Sequence, residues 1–95
     1  MDAEVHVEAY LVKRVKEEGG LCLKFLSPSV VGVPDRICIL PGGNIFFVEL
    51  KRPKGGRLSE RQKIVISQLR RLRARVYVLS NRHEIDAMMR EELGE

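Results

Sequence analysis

Three ionisable residues lie where a buried β-strand would not normally carry charge. Glu49 and Lys51 fall two residues apart in the segment 45–51, which is otherwise almost wholly apolar, and this spacing projects both side chains from one face of a strand. Asp35 stands at the entrance of the preceding predicted strand, and a hairpin between the two strands brings it next to Glu49. Charged groups in such positions are costly unless they are paired or bound to a metal ion.

The two carboxylates indicate a particular chemistry. Carboxylates held at close range repel each other, and a divalent cation relieves that repulsion. Hard oxygen ligands favour Mg²⁺ or Mn²⁺, which polarises a phosphate and lowers the pKa of bound water. Lys51 would place its positive charge on the attacking water or on the charge that develops at phosphorus. The pattern therefore predicts hydrolysis of a phosphodiester.

Two further polar side chains are predicted to face the sheet. Glu8 lies in the middle of the apolar stripe of the first predicted helix, from which it could ligate a second metal ion directly or through water. Glu4 lies one turn earlier and fits that stripe less well. Gln62 lies three and four residues before two apolar residues of a later helix, where it could contact water or phosphate.

Each of these residues also has a purely structural interpretation. Glu49 and Lys51 suit an ordinary same-face pair on an edge strand, and Asp35 suits the cap of a turn. The segment 59–62 matches a capping box, and Glu8 could be solvated at the margin of its stripe. One shared active site accounts for all of these positions, whereas the structural explanations must each hold separately.

The elements that must position these residues follow in the order α-β-β-β-α-β-α. Strands are predicted over residues 21–26, 36–40, 45–51 and 76–79, and helices over residues 4–18 and 60–73 and at the C-terminus. An antiparallel meander comes first, and a helical crossover then delivers the last strand parallel to a neighbour. The predicted fold class is α/β, with a mixed four-stranded sheet in a single domain over residues 1–95.

The charge of the chain is unevenly distributed. The 95 residues carry a formal net charge of +4. Residues 51–75, here called the basic block, contain ten Lys or Arg and one acid, which gives +9, whereas the remainder has seven basic and twelve acidic residues, which gives −5. A solvated basic surface is one explanation, and a polyanion partner, DNA above all, is the other. The candidate DNA contacts are Arg52, Lys54, Arg57, Arg61 and Lys63.

Several classes of protein are disfavoured by the remaining features. No apolar run is long enough to span a membrane, and the N-terminus lacks the basic and apolar regions of an export signal, so a cytoplasmic location is expected. Cys22 and Cys38 lie in apolar stretches without CxxC spacing. They are predicted to be small buried hydrophobic residues in a reducing compartment, and no zinc site or organic cofactor is expected.

The motifs together resemble a known family. Pro34-Asp35, then thirteen residues, then Glu49-Leu50-Lys51 matches the PD-(D/E)xK nuclease motif. With the neighbouring segments 32–36, 41–43, 47–53 and 58–62, the chain closely resembles the VRR-NUC (virus-type replication-repair nuclease) family from Glu8 to about Leu79. It is similar to the small stand-alone members found in phages and prophages.

This resemblance implies a restriction-endonuclease-like αβββαβ core followed by a C-terminal helix. It implies that Asp35, Glu49 and the backbone carbonyl of Leu50 bind Mg²⁺ or Mn²⁺, and that Lys51 is catalytic. Glu8 would match the family's first-helix acid, and Gln62 the glutamine that follows the ExK strand. The resemblance also implies a homodimer that cuts branched DNA, either a Holliday junction or a flap.

Two other functions remain open at this point. The chain could be a DNA-binding module without catalysis, which uses the same basic block. It could also be a structural subunit of a larger repair complex, in which the acids only form salt bridges.

Overall fold

The computed structural model describes residues 4–52 and 54–95, and the side chain of Glu4 lies outside the described part. The elements are α1 (Glu4–Glu17), β1 (Leu21–Lys24), β2 (Arg36–Leu40), β3 (Asn44–Leu50), α2 (Glu60–Arg71), β4 (Val76–Leu79) and α3 (Arg82–Glu92). Their order is the predicted one. Helix α1 ends where Gly19 adopts a φ of +81°, a left-handed conformation that glycine adopts at little cost.

The four strands form one mixed sheet in the order β1-β2-β3-β4. Strand β2 pairs antiparallel with β1 and with β3, and β4 lies parallel to β3. The tight turn between β2 and β3 explains their antiparallel pairing, whereas the crossover through α2 explains why β4 runs parallel to β3. The predicted α/β class and mixed four-stranded sheet are therefore confirmed.

The hydrophobic core lies between one face of the sheet and two helices. Helix α1 packs on β1, β2 and β3 and against α3, which also contacts β4. The buried side chains of this core come from α1, the strands β2, β3 and β4, and α3: Val7, Leu11, Val15, Cys38, Leu40, Phe46, Val48, Leu50, Leu79, Ile85, Met88 and Met89. Burial of these side chains is the main force that holds the two helices on the sheet.

Only part of the opposite sheet face is covered. Helix α2 packs on β4, at one side of the sheet. On the other side, the register aligns Leu21 with Ile39 and Ile39 with Ile45. Leu21 and Ile45 are 58% and 52% exposed, and Leu23 is 46% exposed. We call this surface, formed by Leu21, Leu23, Ile37, Ile39 and Ile45, the open sheet face.

Several boundaries differ from the predicted ones. Strand β1 ends at Lys24 instead of residue 26, and α2 ends at Arg71 instead of residue 73. Leu72, which lies within the predicted helix 60–73, is 80% exposed because the chain leaves the helix there and Arg73 adopts a φ of 72°. Helical periodicity cannot show where such a turn interrupts the helix.

Candidate active site

Asp35 is held at the start of β2 by the loop that precedes it. Gly32 has a φ of +100°, and a Cβ on it would lie 2.6 Å from the carbonyl oxygen of Arg61 in α2, so only glycine fits without a shift of the backbone. Pro34 is buried. The loop is thus packed against the first turn of α2 on one side of Asp35 and enters the sheet on the other.

The structure brings Asp35 and Glu49 together. The backbone N–H of Asp35 donates to Glu49 Oε1 over 3.3 Å, and the Glu49 residue is only 6% exposed. The Asp35 Oδ1 atom is buried and has no hydrogen-bond partner among the residues that the structure describes. A buried acceptor without a donor is costly, so this oxygen is suited to a ligand.

The electrostatics of Glu49 point the same way. Burial raises the pKa of the Glu49 carboxyl above its usual range, and the neighbouring charge of Asp35 raises it further, while Lys51 opposes both effects. A divalent cation compensates this repulsion without protonation of either acid. The Glu49 carboxylate and the unpartnered Asp35 Oδ1 therefore provide the hard oxygen ligands that Mg²⁺ or Mn²⁺ prefers.

Lys51, Glu49 and Gln62 form one connected group. Lys51 follows β3 directly instead of ending that strand as predicted, but its N–H still donates to the Leu79 carbonyl over 2.8 Å. Its Nζ lies 3.3 Å from Glu49 Oε2 and donates to Gln62 Oε1 over 3.0 Å. Gln62 Nε2 in turn donates to Glu49 Oε2 over 3.0 Å. The predicted placement of Glu49 and Lys51 on one side of the sheet agrees with these contacts.

Gln62 also completes the capping box at the start of α2. The Ser59 N–H donates to Gln62 Oε1 over 2.9 Å, and the Gln62 N–H donates to Ser59 Oγ over 3.1 Å. The capping box and the contact with the site were alternatives on sequence grounds, yet one side chain makes both. The reason is that the amide group has both an acceptor and a donor, and that the box turns it back towards β3.

Leu50 carries the third oxygen that the resemblance implies as a metal ligand. Arg36 pairs with Val48, and continuing the register by two pairs brings Pro34 opposite Leu50. Proline has no N–H to donate, so this position gives the Leu50 carbonyl no strand hydrogen bond. Leu50 directly follows Glu49 in the chain, so its carbonyl is close enough to act as a backbone ligand of a metal ion that Glu49 binds.

Glu8 is placed differently from the other predicted residues. Its Oε1 accepts a hydrogen bond from Nη2 of Arg36, and the side chains of Arg36 and Glu8 are 9% and 38% exposed. Arg36 shares the core face with its partner Val48, whereas Glu49 faces α2. Within residues 4–52 and 54–95, no group of three or more His, Cys, Asp or Glu could hold a metal ion, so Glu8 is not gathered with Asp35 and Glu49.

Arg36 is the residue of this region that the sequence reasoning missed. It stands directly after Asp35 at the head of an apolar strand, and an arginine there needs a partner because the position is buried. Its position at the head of an apolar strand is the sequence signal that this arginine is buried. Which acid it meets depends on how α1 packs on the sheet, and the sequence pattern does not give that.

The five predicted DNA contacts are all exposed: Arg52, Lys54, Arg57, Arg61 and Lys63. Arg57 and Lys51 line an open groove of about 490 Å³, together with Ser59, Gln62 and residues 31–33. Lys63 forms an exposed ion pair with Glu60 at 2.9 Å. The groove thus runs beside the acidic pair and carries positive charge.

Other cations of the basic block have structural partners. Arg70 donates to the Val76 carbonyl over 2.7 Å, and Arg75 forms an ion pair with Glu92 at 2.7 Å. Neither was among the predicted DNA contacts. In the part of the chain that the structure describes, no helix combines the length and apolar character needed to cross a membrane.

Comparisons with known proteins agree with this geometry. A profile of the VRR-NUC domain matches residues 7–83. The protein named "Putative nuclease p44" of Acyrthosiphon pisum secondary endosymbiont phage 1 is 50% identical over 50 residues, which are 53% of this chain and 54% of that protein. The chain thus matches about half the length of this relative. A solved structure of a VRR-NUC domain superposes with a TM-score of 0.85 at 30% identity, covering 90% of this chain and 92% of the other. The chain therefore belongs to the VRR-NUC family, the nuclease family that its motifs indicate.

Proposed function

We propose that the protein is a Mg²⁺- or Mn²⁺-dependent endonuclease that hydrolyses phosphodiester bonds in branched DNA. The observation that carries this proposal is the pairing of Asp35 with Glu49 beside Lys51, with Asp35 Oδ1 buried and unpartnered among the described residues. Membership of a nuclease family and the name of the phage relative support it.

In this proposal, Asp35, Glu49 and the Leu50 carbonyl hold the metal ion. When bound, the ion would supply Lewis-acid polarisation of the scissile phosphate and lower the pKa of water. Lys51 directs its ammonium group towards the attacking water and towards charge that develops at phosphorus. Gln62, 3.0 Å from both Lys51 Nζ and Glu49 Oε2, fixes the lysine relative to the carboxylate.

Glu8 is not free to bind a metal ion as it stands in the structure. Its carboxylate is paired with Arg36, so a contact with a second metal ion requires a change in that pair or an intervening water. We retain Glu8 as a proposed water-mediated or second-metal residue. The ion pair itself suggests that Glu8 also neutralises a buried arginine.

The groove beside Lys51 is the proposed path of the DNA backbone. Arg57 lines it, and Arg52, Lys54, Arg61 and Lys63 are exposed on the same basic block. Contacts of lysine and arginine with phosphates give binding that weakens steeply with salt and depends little on sequence. The substrate would therefore be selected by its shape.

We further propose that two copies of the chain associate through the open sheet face. Leu21, Leu23 and Ile45 are about half exposed there, and β1 is an edge strand. An apolar face is unsuited to DNA, whereas a second copy offers the same apolar surface. A two-fold dimer would present two sites to a symmetric junction.

The dimer is tested by sedimentation equilibrium. Leu23→Lys should shift the chain to a monomer because it places charge in the interface. Leu72→Lys is the matched control, since Leu72 is 80% exposed at the end of α2 and lies outside the open sheet face. A wild-type monomer, or a Leu23→Lys dimer as stable as wild type, would rule out this interface.

The nuclease function is tested by cleavage of labelled DNA. Four-way junction, flap, linear duplex and single strand are incubated with Mg²⁺ or Mn²⁺, and binding is measured in parallel in Ca²⁺. Lys51→Ala should lose cleavage by about 10²–10³-fold while it still binds the junction. Lys16→Ala removes an exposed lysine from α1 and should cleave as wild type does.

The outcomes separate the three functions. A wild-type chain that binds junctions but cuts no substrate with either metal is a binding module. If Asp35→Asn and Glu49→Gln instead destabilise the metal-free fold and neither binding nor cleavage occurs, the acids are structural. Cleavage of linear duplex at the same rate as junctions would leave a nuclease without selectivity for branched DNA.

A further inference from the structure

The two cysteines face each other across β1 and β2. Cys22 and Cys38 are partners in the antiparallel register, and the Cys38 Sγ lies 3.7 Å from the Cys22 Sγ. Cys38 is fully buried, but Cys22 is partly exposed because β1 is the edge strand. The prediction of two small buried hydrophobic residues is therefore confirmed for Cys38 and holds only in part for Cys22, which is partly buried and packs against the core.

Their position in the ladder favours a covalent bond. The N–H of Phe25 donates to the Asp35 carbonyl over 2.7 Å, which makes Phe25 and Asp35 a hydrogen-bonded pair. Hydrogen-bonded and non-hydrogen-bonded pairs alternate along an antiparallel ladder. Three steps away, Cys22 and Cys38 therefore form a non-hydrogen-bonded pair, with Cα atoms about 4.5 Å apart. That spacing lies within the range that disulfides bridge.

The surroundings of Cys22 also favour reaction at this sulfur. The hydrogen bond that the Cys38 thiol donates lowers the pKa of the Cys22 thiol, burial opposes this effect, and the nearby positive charge of Arg36 adds a smaller lowering. A partly exposed thiol with thiolate character is the one that attacks an oxidant. The buried Cys38 then lies in position to react with the product.

We propose that Cys22 and Cys38 form a redox modification site, which closes to an intrachain disulfide in the folded protein when a small disulfide oxidant is present. The Cys22 thiolate attacks one sulfur of oxidised glutathione, and one glutathione thiolate leaves. The Cys38 thiol, which is buried, then attacks Cys22 Sγ, and its proton passes to the second glutathione sulfur, which leaves as a thiol. Two thiols are oxidised and one glutathione disulfide is reduced to two thiols.

The disulfide would constrain the segment of the chain that leads to Asp35. It joins β1 to β2 and closes a ring over residues 22–38, which contains the loop before Asp35 and Asp35 itself. Closing such a ring restricts the unfolded chain. Neither thiol belongs to the candidate active site, so the pair can be tested independently of nuclease activity.

The test uses the folded full chain and oxidised glutathione without denaturant. Intact mass, non-reducing peptide mapping and thermal unfolding are measured before and after oxidation, and after reduction with dithiothreitol. We expect the wild type to lose the mass of two hydrogen atoms, to show a Cys22–Cys38 cross-linked peptide, and to unfold on the order of 10 °C higher. Dithiothreitol should reverse all three changes.

Single variants identify the order of the reaction. Cys38→Ser should accumulate a stable glutathione adduct on Cys22, whereas Cys22→Ser should stay unmodified because Cys38 is buried. The wild-type measurements decide the proposal even if either variant fails to fold. It is overturned if the folded wild type stays reduced, stops at the glutathione adduct, or forms only disulfides between chains.

Discussion

Gln62 Nε2 donates to Glu49 Oε2 over 3.0 Å, and this bond connects the first turn of α2 to the acid at the end of β3. The same amide accepts from Lys51 Nζ over 3.0 Å and from the Ser59 N–H over 2.9 Å. The orientation of one side chain is therefore set by the helix cap and passed on to both charged groups of the site. A cap residue thus becomes a positioning residue.

This double role can be separated with two variants. Ser59→Ala removes the hydroxyl half of the capping box but leaves Gln62 opposite Glu49 and Lys51, whereas Gln62→Ala removes both functions. Each should lower the free energy of unfolding by about 1 kcal/mol. Only Gln62→Ala should lower the cleavage rate by an order of magnitude or more at unchanged DNA affinity. Equal losses of rate in the two variants would show that the cap alone matters.

The raised pKa of the Glu49 carboxyl predicts how the stability of the metal-free protein depends on pH. Its folded-state pKa is raised above the ordinary value of 4.5, so the folded chain holds this proton more tightly than the unfolded chain. The stabilisation is complete below about pH 4.5 and is lost as the pH rises through the folded pKa. In urea unfolding, Glu49→Gln should flatten this decline and match or exceed wild-type stability at pH 7. A variant less stable than wild type at pH 7 would show that the Lys51 and Gln62 contacts outweigh the repulsion.

A bound divalent cation should offset the repulsion between the carboxylates of Asp35 and Glu49. A ligand that binds only the folded state adds about 2.7 kcal/mol of stability at a concentration 100-fold above its dissociation constant. Mg²⁺ or Mn²⁺ should therefore raise the thermal midpoint of the wild type. Asp35→Asn, which lacks the charge of the unpartnered Oδ1 group, should show little rise. Lys16→Ala is the control, and a rise of equal size in all three proteins would place the cation elsewhere.

Pro34 gives a test of the backbone ligand. Pro34→Ala introduces an N–H opposite the Leu50 carbonyl, which would compete with a metal ion for that oxygen. We expect Mn²⁺ affinity, measured by titration calorimetry without DNA, to fall by about tenfold, equivalent to the roughly 1.4 kcal/mol of one hydrogen bond. Because proline removal also frees the loop, Pro28→Ala, in the same loop but outside the β2–β3 register, is the matched control. Unchanged affinity in Pro34→Ala would remove the Leu50 carbonyl from the proposed ligand set.

Features of this fold that depend on neighbouring residues in the chain could be predicted from the sequence, whereas contacts between distant elements could not. Strand alternation and a short hairpin are local, and together they place Asp35 beside Glu49 because few other arrangements are compatible with them. The inward direction of Glu8 was also readable from helical spacing. Its partner Arg36 was not, because periodicity gives the face of a helix and not the side chain that it meets. The dual role of Gln62 could not be predicted for the same reason. Its part in the capping box is local, but its contact with Glu49 depends on how α2 packs on the sheet.

The Glu8–Arg36 pair therefore makes the last prediction. Arg36 is 7% exposed, and an arginine that loses its partner in such a position keeps its desolvation cost. Glu8→Gln, which preserves shape but removes the charge, should lower the free energy of unfolding by about 1–3 kcal/mol. The number of Mn²⁺ ions bound per chain can be measured on the complex with junction DNA, with Lys51→Ala present to prevent cleavage. If Glu8 also holds a second metal ion, adding Glu8→Gln should lower this number from two to one. An unchanged stoichiometry together with the stability loss would leave Glu8 as the partner of Arg36 alone.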